Sequence, residues 1–272
     1  MLFRSFGPGA TLGNTNARRV LSLKNPAQGQ FYGTIGQIDD GGNATYNAML
    51  LSAQRRLSNN FSVLANWTFA HCISDPATTE ITGPTYVNPA NRGLDRSNCD
   101  SDRRHVLNIS FVARAPKFAN PSMALIAGGW QLSGIVRRQT GNYSTVTTGV
   151  DNALTGIGGQ RAVQVRPSPY NADRTVDHYL DRTAFASPVA GTLSSLSPFT
   201  VVNPGSLQID TALSRTFRVR EGQTIQFRWE AFNIPNHLNA NAPVTALNSG
   251  NFGRTLSAQD PRIMQFALKY MF

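Results

Sequence analysis

The chain has 272 residues, a net charge of +10 and only 15% charged residues, against roughly a quarter in an ordinary soluble domain. Gly (23), Pro (15) and Asn (23) are abundant, which excludes coiled coils, helical bundles and helical solenoids because these residues break helices and favour turns. No stretch approaches the length of a spanning apolar helix, and 40% hydrophobic residues argue against a disordered chain.

In chain order, Met1–Gly13 carries no apolar run of signal-peptide length. Either the protein stays in the cytoplasm or an export signal lies outside this sequence, and the two cysteines, Cys72 and Cys99, favour the second. Tyr46–Leu57 and Phe61–His71 read as a hairpin across Ser58-Asn59-Asn60. In the second strand Phe61, Val63, Ala65, Trp67 and Phe69 share one face, with Ser62, Asn66 and Thr68 on the other. Next comes a polar stretch between Cys72 and Cys99, a disulfide candidate that would brace the loop in an oxidising compartment. His105–Ala113 resumes the alternation, with Leu107, Ile109 and Phe111 opposite Asn108 and Ser110. After a link containing Pro116 and Pro121, Trp130, Leu132 and Val136 alternate with Gln131, Ser133 and Arg137.

The last third is more regular. Leu207, Ile209, Leu213 and Phe217 oppose Gln208, Asp210, Ser214 and Arg218. After the Arg220-Glu221-Gly222-Gln223 turn, Ile225, Phe227, Trp229 and Ala231 oppose Gln226, Arg228 and Glu230. The final strand sets Met264, Phe266, Leu268, Tyr270 and Phe272 against Gln265, Ala267 and Lys269. That makes seven strands, joined alternately by short turns near 58–60, 115–122 and 219–223 and by long loops near 72–103, 141–205 and 235–260. Long strands, two-faced patterning and alternating loop lengths together fit an outer-membrane barrel, with short periplasmic turns and long extracellular loops. The alternative is a secreted all-β binding or adhesive domain, in which the same strands pack as a sandwich. Trp67 and Phe69 near one strand end, and Tyr270 and Phe272 near another, suit interfacial aromatic girdles.

The arginines are scattered in singles and pairs, without a basic run or nucleic-acid-binding signature, so nucleic acid is not an expected partner. His71, His105, His178 and His237 lie in or beside loops, and no HExxH, GxSxG, GxGxxG or P-loop pattern occurs. Asp173, Asp177, His178 and Asp181 read as solvated loop charges rather than metal ligands. The expectation is a chain that is not an enzyme and carries no cofactor or metal.

The tail resembles the assembly signal of bacterial outer-membrane barrels: Phe266, Leu268, Tyr270 and Phe272 present alternate apolar side chains on a terminal strand. The segments SRTFRVREGQTIQFRWEAFNIPNHLNANAP (Ser214–Pro243) and NFGRTLSAQDPRIMQFALKYMF (Asn251–Phe272) resemble the C-terminal end of a TonB-dependent receptor. The group is the acidobacterial type with a carboxypeptidase-regulatory-like N-terminal domain. Asp39–Pro76 and Asp102–Pro116 are similar to preceding hairpins of that group.

The resemblance implies an all-β, antiparallel up-and-down meander, an incomplete segment of a large barrel of about 22 strands. Residues 43–272 would be the barrel segment and 1–42 an extracellular loop or N-terminal remnant, with the plug and N-terminal domain absent. Implied partners are outer-membrane lipid, the barrel-assembly machinery and, in the full-length receptor, a plug and TonB. The implied role is import of a large nutrient. Phe61, Val63, Trp67, Leu107, Ile109, Phe111, Leu132, Phe227, Trp229, Phe266 and Leu268 are then expected to face lipid. Asn66, Asn108, Gln208, Asp210, Arg228, Glu230, Gln265 and Lys269 are expected to line the lumen, with Arg228 and Glu230 pairing across strands with Asp210 or Arg218.

Overall fold

The computed structural model describes residues 9–33, 41–58, 60–75, 86–88, 90–155 and 160–272. Parts of the first long loop and the side chain of Leu57 lie outside the described residues. Seven long strands dominate: β1 (Asn43–Ser58), β2 (Phe61–Asp75), β3 (His105–Arg114), β4 (Trp130–Gln139), β5 (Ser206–Arg220), β6 (Gln223–Phe232) and β7 (Ile263–Met271). Each pairs antiparallel with its neighbours in chain order, giving an up-and-down meander. This is the fold class that the alternation predicts.

Several boundaries differ from the sequence reading. β1 starts at Asn43, and β2 runs on to Asp75 because its upper end pairs with Ser97–Asn98, which extends the sheet past the polar loop's return. His71 consequently lies inside β2 and His105 opens β3, where its ring stacks on Trp67 at 5.7 Å.

The β5–β6 turn is the tight one expected, with Arg220 opposite Gln223 and Gly222 at φ +74. A side chain there would pay the left-handed penalty of roughly 1–2 kcal/mol. The β3–β4 link is not a plain turn: after two short helices near the start of the chain, α1 (Val20–Lys24) and α2 (Pro26–Gly29), it holds helix α3 (Pro121–Ala127). Asn120 caps that helix by accepting from the Ser122 and Met123 amides, and Pro121 sits at its first position, where no N–H is needed.

The register sorts every strand residue onto one of two faces. Leu51, Trp67, Leu107 and Arg138 form one continuous cross-strand row. Ala53, Ala65, Ile109, Val136 and Ile209 form the next, and Leu213, Trp229 and Phe266 another. This face is apolar except where Arg55, Arg138 and Arg215 interrupt it, and no second sheet covers it among the described residues: Phe266 and Leu268 are 72% and 73% exposed. A sandwich would bury these side chains between two sheets, so the sandwich alternative does not describe this chain.

The buried core lies elsewhere. Val146, Ala162, Leu180, Ala184, Phe185, Val201, Leu247 and Phe252 form one cluster, drawn entirely from the β4–β5 and β6–β7 connections. These Gly/Pro/Asn-rich segments are a folded cap, not a pair of structureless loops.

Candidate functional site: the polar wall and its cap

The polar face of the sheet is built as rungs. Asn66 faces Asn108, Asn108 faces Arg137, and Arg137 faces Gln208. Lower rungs set Gln131 beside Ser214 and Ser214 beside Arg228, while Ala212 faces Glu230 and Glu230 faces Gln265. Lys269 faces Gln226. All eight polar residues singled out from the sequence therefore share one face, because a period-2 strand in fixed register leaves them no other. Arg137 belongs to the same rungs and was legible only as one member of the alternation. The face also carries an apolar spot, where Leu64 and Ile135 flank Ser110.

The charges on this face pair differently from the expectation. Arg228 forms an ion pair with Glu230 on its own strand, and Glu230 also accepts from Gln265 of β7. Asp210 instead accepts from Gln208 at 2.7 Å and from the Asn233 amide at 2.9 Å. The register explains this. Ala212 and Ser214 stand opposite Glu230 and Arg228, so neither Asp210 nor Arg218 is a direct cross-strand neighbour. Residues two apart on a strand share a face and their long side chains meet.

Cys72 and Cys99 are joined by a disulfide across 27 positions, with a Cα–Cα distance of 5.4 Å. The Cys99 amide also donates to the Cys72 carbonyl. Beyond it, a short 3-10 turn (Arg92–Asp95) carries Asp95 into contact with Arg161 of the β4–β5 connection at 3.3 Å, both side chains almost buried. Arg161 donates to the Leu94 carbonyl, and Asp95 accepts from the Val87 amide. Asn98 donates to the Phe199 carbonyl and Asn142 to that of Asp100. The disulfide-braced loop is therefore clamped to the cap. Sixty-six positions separate Asp95 from Arg161, and no local pattern announces the pair.

Inside the cap, Tyr143–Ser144 pairs with Val201–Val202, and Val163–Gln164 with Phe185–Ala186. The Tyr170 and Tyr179 hydroxyls both donate to the Val202 carbonyl, and burial, with Tyr170 alongside, pushes the Tyr179 hydroxyl up to about 12. Asparagines serve the backbone here. Asn239 donates to the Leu207 carbonyl and accepts from the Leu207 amide, capping the top of β5. Asn233 does the same for the bend after β6, binding the His237 amide and carbonyl. The Asn-rich composition thus satisfies the irregular backbone that a cap without long strands leaves open.

The loop acids are ion-paired: Asp177 with Arg254 at 2.9 Å and Asp181 with Arg166 at 3.1 Å. His178 approaches Asp173 at 3.8 Å, and no group of ligating side chains suited to a metal occurs among the described residues. Residues 9–33 carry two short helices, Val20–Lys24 and Pro26–Gly29, and Arg18 of this segment donates to the Leu154 carbonyl of the cap at 2.9 Å. Phe266, Leu268 and Tyr270 lie on one face of β7, while Phe272 follows the strand and stacks near Tyr270 at 5.9 Å.

No curated protein matches the sequence. The family model described as an outer membrane beta barrel domain matches residues 5–265. The chain belongs to that outer-membrane β-barrel family, and its place is the bacterial outer membrane.

Proposed function

We propose that this chain is the C-terminal wall and outer cap of a TonB-dependent receptor that imports a large nutrient across the outer membrane. The observation that carries the reading is the pairing of a two-faced wall, polar rungs on one side and a bare apolar face on the other, with a folded cap at the end of the long connections. In a membrane the apolar face turns to lipid, and the polar face, with Gln208, Asp210, Arg228 and Glu230, lines the lumen. The tail's likeness to TonB-dependent receptors narrows the transport class. The role assigned is passage and gating, not catalysis.

Strand direction supports a larger barrel. β1 and β7 are the two edges of the sheet, each paired on one side only among the described residues. With seven strands both edges run towards the short-turn end. A second copy in the same orientation meets either edge as a parallel strand, so antiparallel closure needs an odd number of further strands. An open edge in lipid is not tolerated, and about 15 more strands complete a barrel of the 22-strand transporter type.

The test is uptake by a strain carrying the complete gene against its deletion, over a panel of ferric siderophores, oligosaccharides and peptides, with and without a protonophore. One cargo class is expected to enter only in the carrier strain and only with the proton gradient intact. Equal uptake in both strains, or uptake indifferent to the protonophore, refutes the proposal.

A further inference from the structure

Among the described residues, the β3–β4 link is the one short-turn-side connection that carries an exposed apolar helix. From Phe118 to Trp130 the sequence FANPSMALIAGGW has no charged residue. Within α3, Leu125 and Ile126 are 73% and 71% exposed, and Met123 is also exposed. A helix resting in water carries polar or charged residues on its outer face; this one turns its largest apolar side chains outward.

Its attachment places it beside the apolar face. The Trp130 indole donates to the Ile126 carbonyl at 3.0 Å, and Arg215 donates to the carbonyls of both Ile126 and Leu125. Arg215 stands opposite Trp130 and Phe227 in the apolar row, and its guanidinium lies over the rings of Trp130 and Phe217. Trp130 in turn meets Phe227 edge-on at 6.1 Å. A lone cation on the lipid side costs most at the membrane midplane and little at its interfaces. Here the cation is covered by aromatic rings and bound by the carbonyl end of a helix, where partial negative charge gathers.

We infer that α3 is an interfacial anchor, lying in the headgroup–acyl boundary of the periplasmic leaflet with Met123, Leu125 and Ile126 in the lipid. The occupant is phospholipid because the helix is continuous with the apolar row through Arg215, Trp130 and Phe227, and that row faces lipid in the proposed wall. Helices of this kind sit in the plane of the membrane with their apolar side a few ångströms into it. Arg215 fixes the depth: it ties the helix's C-terminal carbonyls to the wall at the level of an aromatic belt.

The inference rests on the lipid-facing assignment of the apolar face, so the experiment reads the two separately. Leu125→Cys, Ile126→Cys, Leu268→Cys and Glu221→Cys are made singly in the full chain. Each is spin-labelled in isolated outer membranes and read for collision with oxygen against an aqueous nickel chelate. The Leu268 label reports the wall and the Glu221 label reports water. The Leu125 and Ile126 labels are expected to favour oxygen and to show several-fold lower nickel access than the Glu221 label. Nickel access equal to the Glu221 label at both helix positions, with the Leu268 label protected, overturns the anchor and leaves the wall intact. Nickel access at the Leu268 label overturns the wall, and the anchor with it. Two independent helix positions keep the test decisive if one variant fails to assemble.

Discussion

Breaking the Asp95–Arg161 pair is expected to release the disulfide-braced loop from the cap, whereas replacing both members with apolar residues is not. Their side chains are only 12% and 8% exposed, and the closest N–O distance is 3.3 Å. Burial raises the Asp95 carboxyl above its ordinary 3.8, with Arg161 offsetting only part of the rise. Burial likewise lowers the Arg161 guanidinium, with Asp95 opposing. Both shifts run against the charged forms, so desolvation outweighs mutual attraction and the pair is not itself a large source of stability. Removing one member nonetheless strands a buried charge, which costs about 3–5 kcal/mol. Asp95→Leu with Arg161→Met removes both charges and also two backbone hydrogen bonds, from Val87 and to Leu94, each worth about 1 kcal/mol net. The double variant is expected within about 2 kcal/mol of the wild type, offset by the desolvation no longer incurred. The assay is hydrogen exchange at the Ala162 and Cys99 amides, which bond to Val146 and Cys72. Either single variant accelerates exchange by about 10²–10⁴-fold, and the double does so by about 30-fold or less. The pH sign follows. Because the folded Asp95 value lies above the unfolded one, its contribution to stability is fullest below about 3.8 and declines as pH rises through the folded value. Acidification from pH 7 towards 5 therefore does not open the cap on account of Asp95. Unchanged exchange in both single variants, or a double variant as labile as the two singles summed, refutes the reasoning.

Four further outcomes test other parts of the molecule. Cys72→Ser with Cys99→Ser removes a cross-link spanning 27 positions, which costs the loop about 3.5 kcal/mol on the chain-entropy model; limited proteolysis should cut between residues 76 and 96, and an unchanged cleavage pattern contradicts this. Gly134→Val places a Cβ 2.7 Å from the Phe111 ring and 3.0 Å from the Asp210 carbonyl, an overpacking of about 1–3 kcal/mol that should lower the unfolding midpoint in detergent; Phe111→Leu in the same background should recover part of it. Phe252→Ala empties a buried cap position that meets Phe185 edge-on at 5.9 Å, costing about 3–5 kcal/mol, and should speed cap exchange while leaving strand amides of β3 and β4 protected. Phe272→Ser changes a side chain that is 95% exposed, so folded stability should hold while the amount of chain reaching the outer membrane falls, as measured in fractionated membranes; full assembly of the variant refutes a role for the tail in targeting.

The wall was legible in the sequence because a strand repeats every two residues. Gln226 to Glu230 alternates without interruption and Phe61 to Phe69 with Leu64 alone out of pattern, and fixed register carries the pattern from strand to strand. Helix α3 left a weaker trace. Asn120-Pro121 is a start signal of the right kind, but Pro116 before it and Gly128-Gly129 after it read equally well as a plain link. The cap left almost none. Val146, Val201 and Phe252 are isolated apolar residues among Gly, Pro, Asn and Thr, with no period to mark them. Their meeting depends on contacts such as Tyr179 to Gly253 and Thr147 to Ala246, which join different connections. The charge pairing on the polar face failed to emerge for a different reason: alternation fixes the face but not the register, and a two-residue shift, which keeps the face, decides whether Asp210 or Ala212 stands opposite Glu230.

The two layers of the molecule draw on different solvents for their stability. Apolar side chains of the wall stay bare, so the hydrophobic term that folds an ordinary domain has to come from lipid. The cap buries its own cluster and satisfies its backbone with Asn, Tyr and Ser side chains, as a water-facing domain does. Among the described residues the layers are joined at points such as the Thr140 amide donating to the His105 carbonyl, the His105 amide donating to the Thr140 hydroxyl and the Asn239 bracket on Leu207. All of them sit at strand tops, where the backbone leaves the sheet. A cap held this way keeps its shape independently of the strands beneath it, while its seat on the rim is fixed at a few points. Such a division suits an outer-membrane barrel, because surface loops can diverge without disturbing the residues that hold the wall in the membrane.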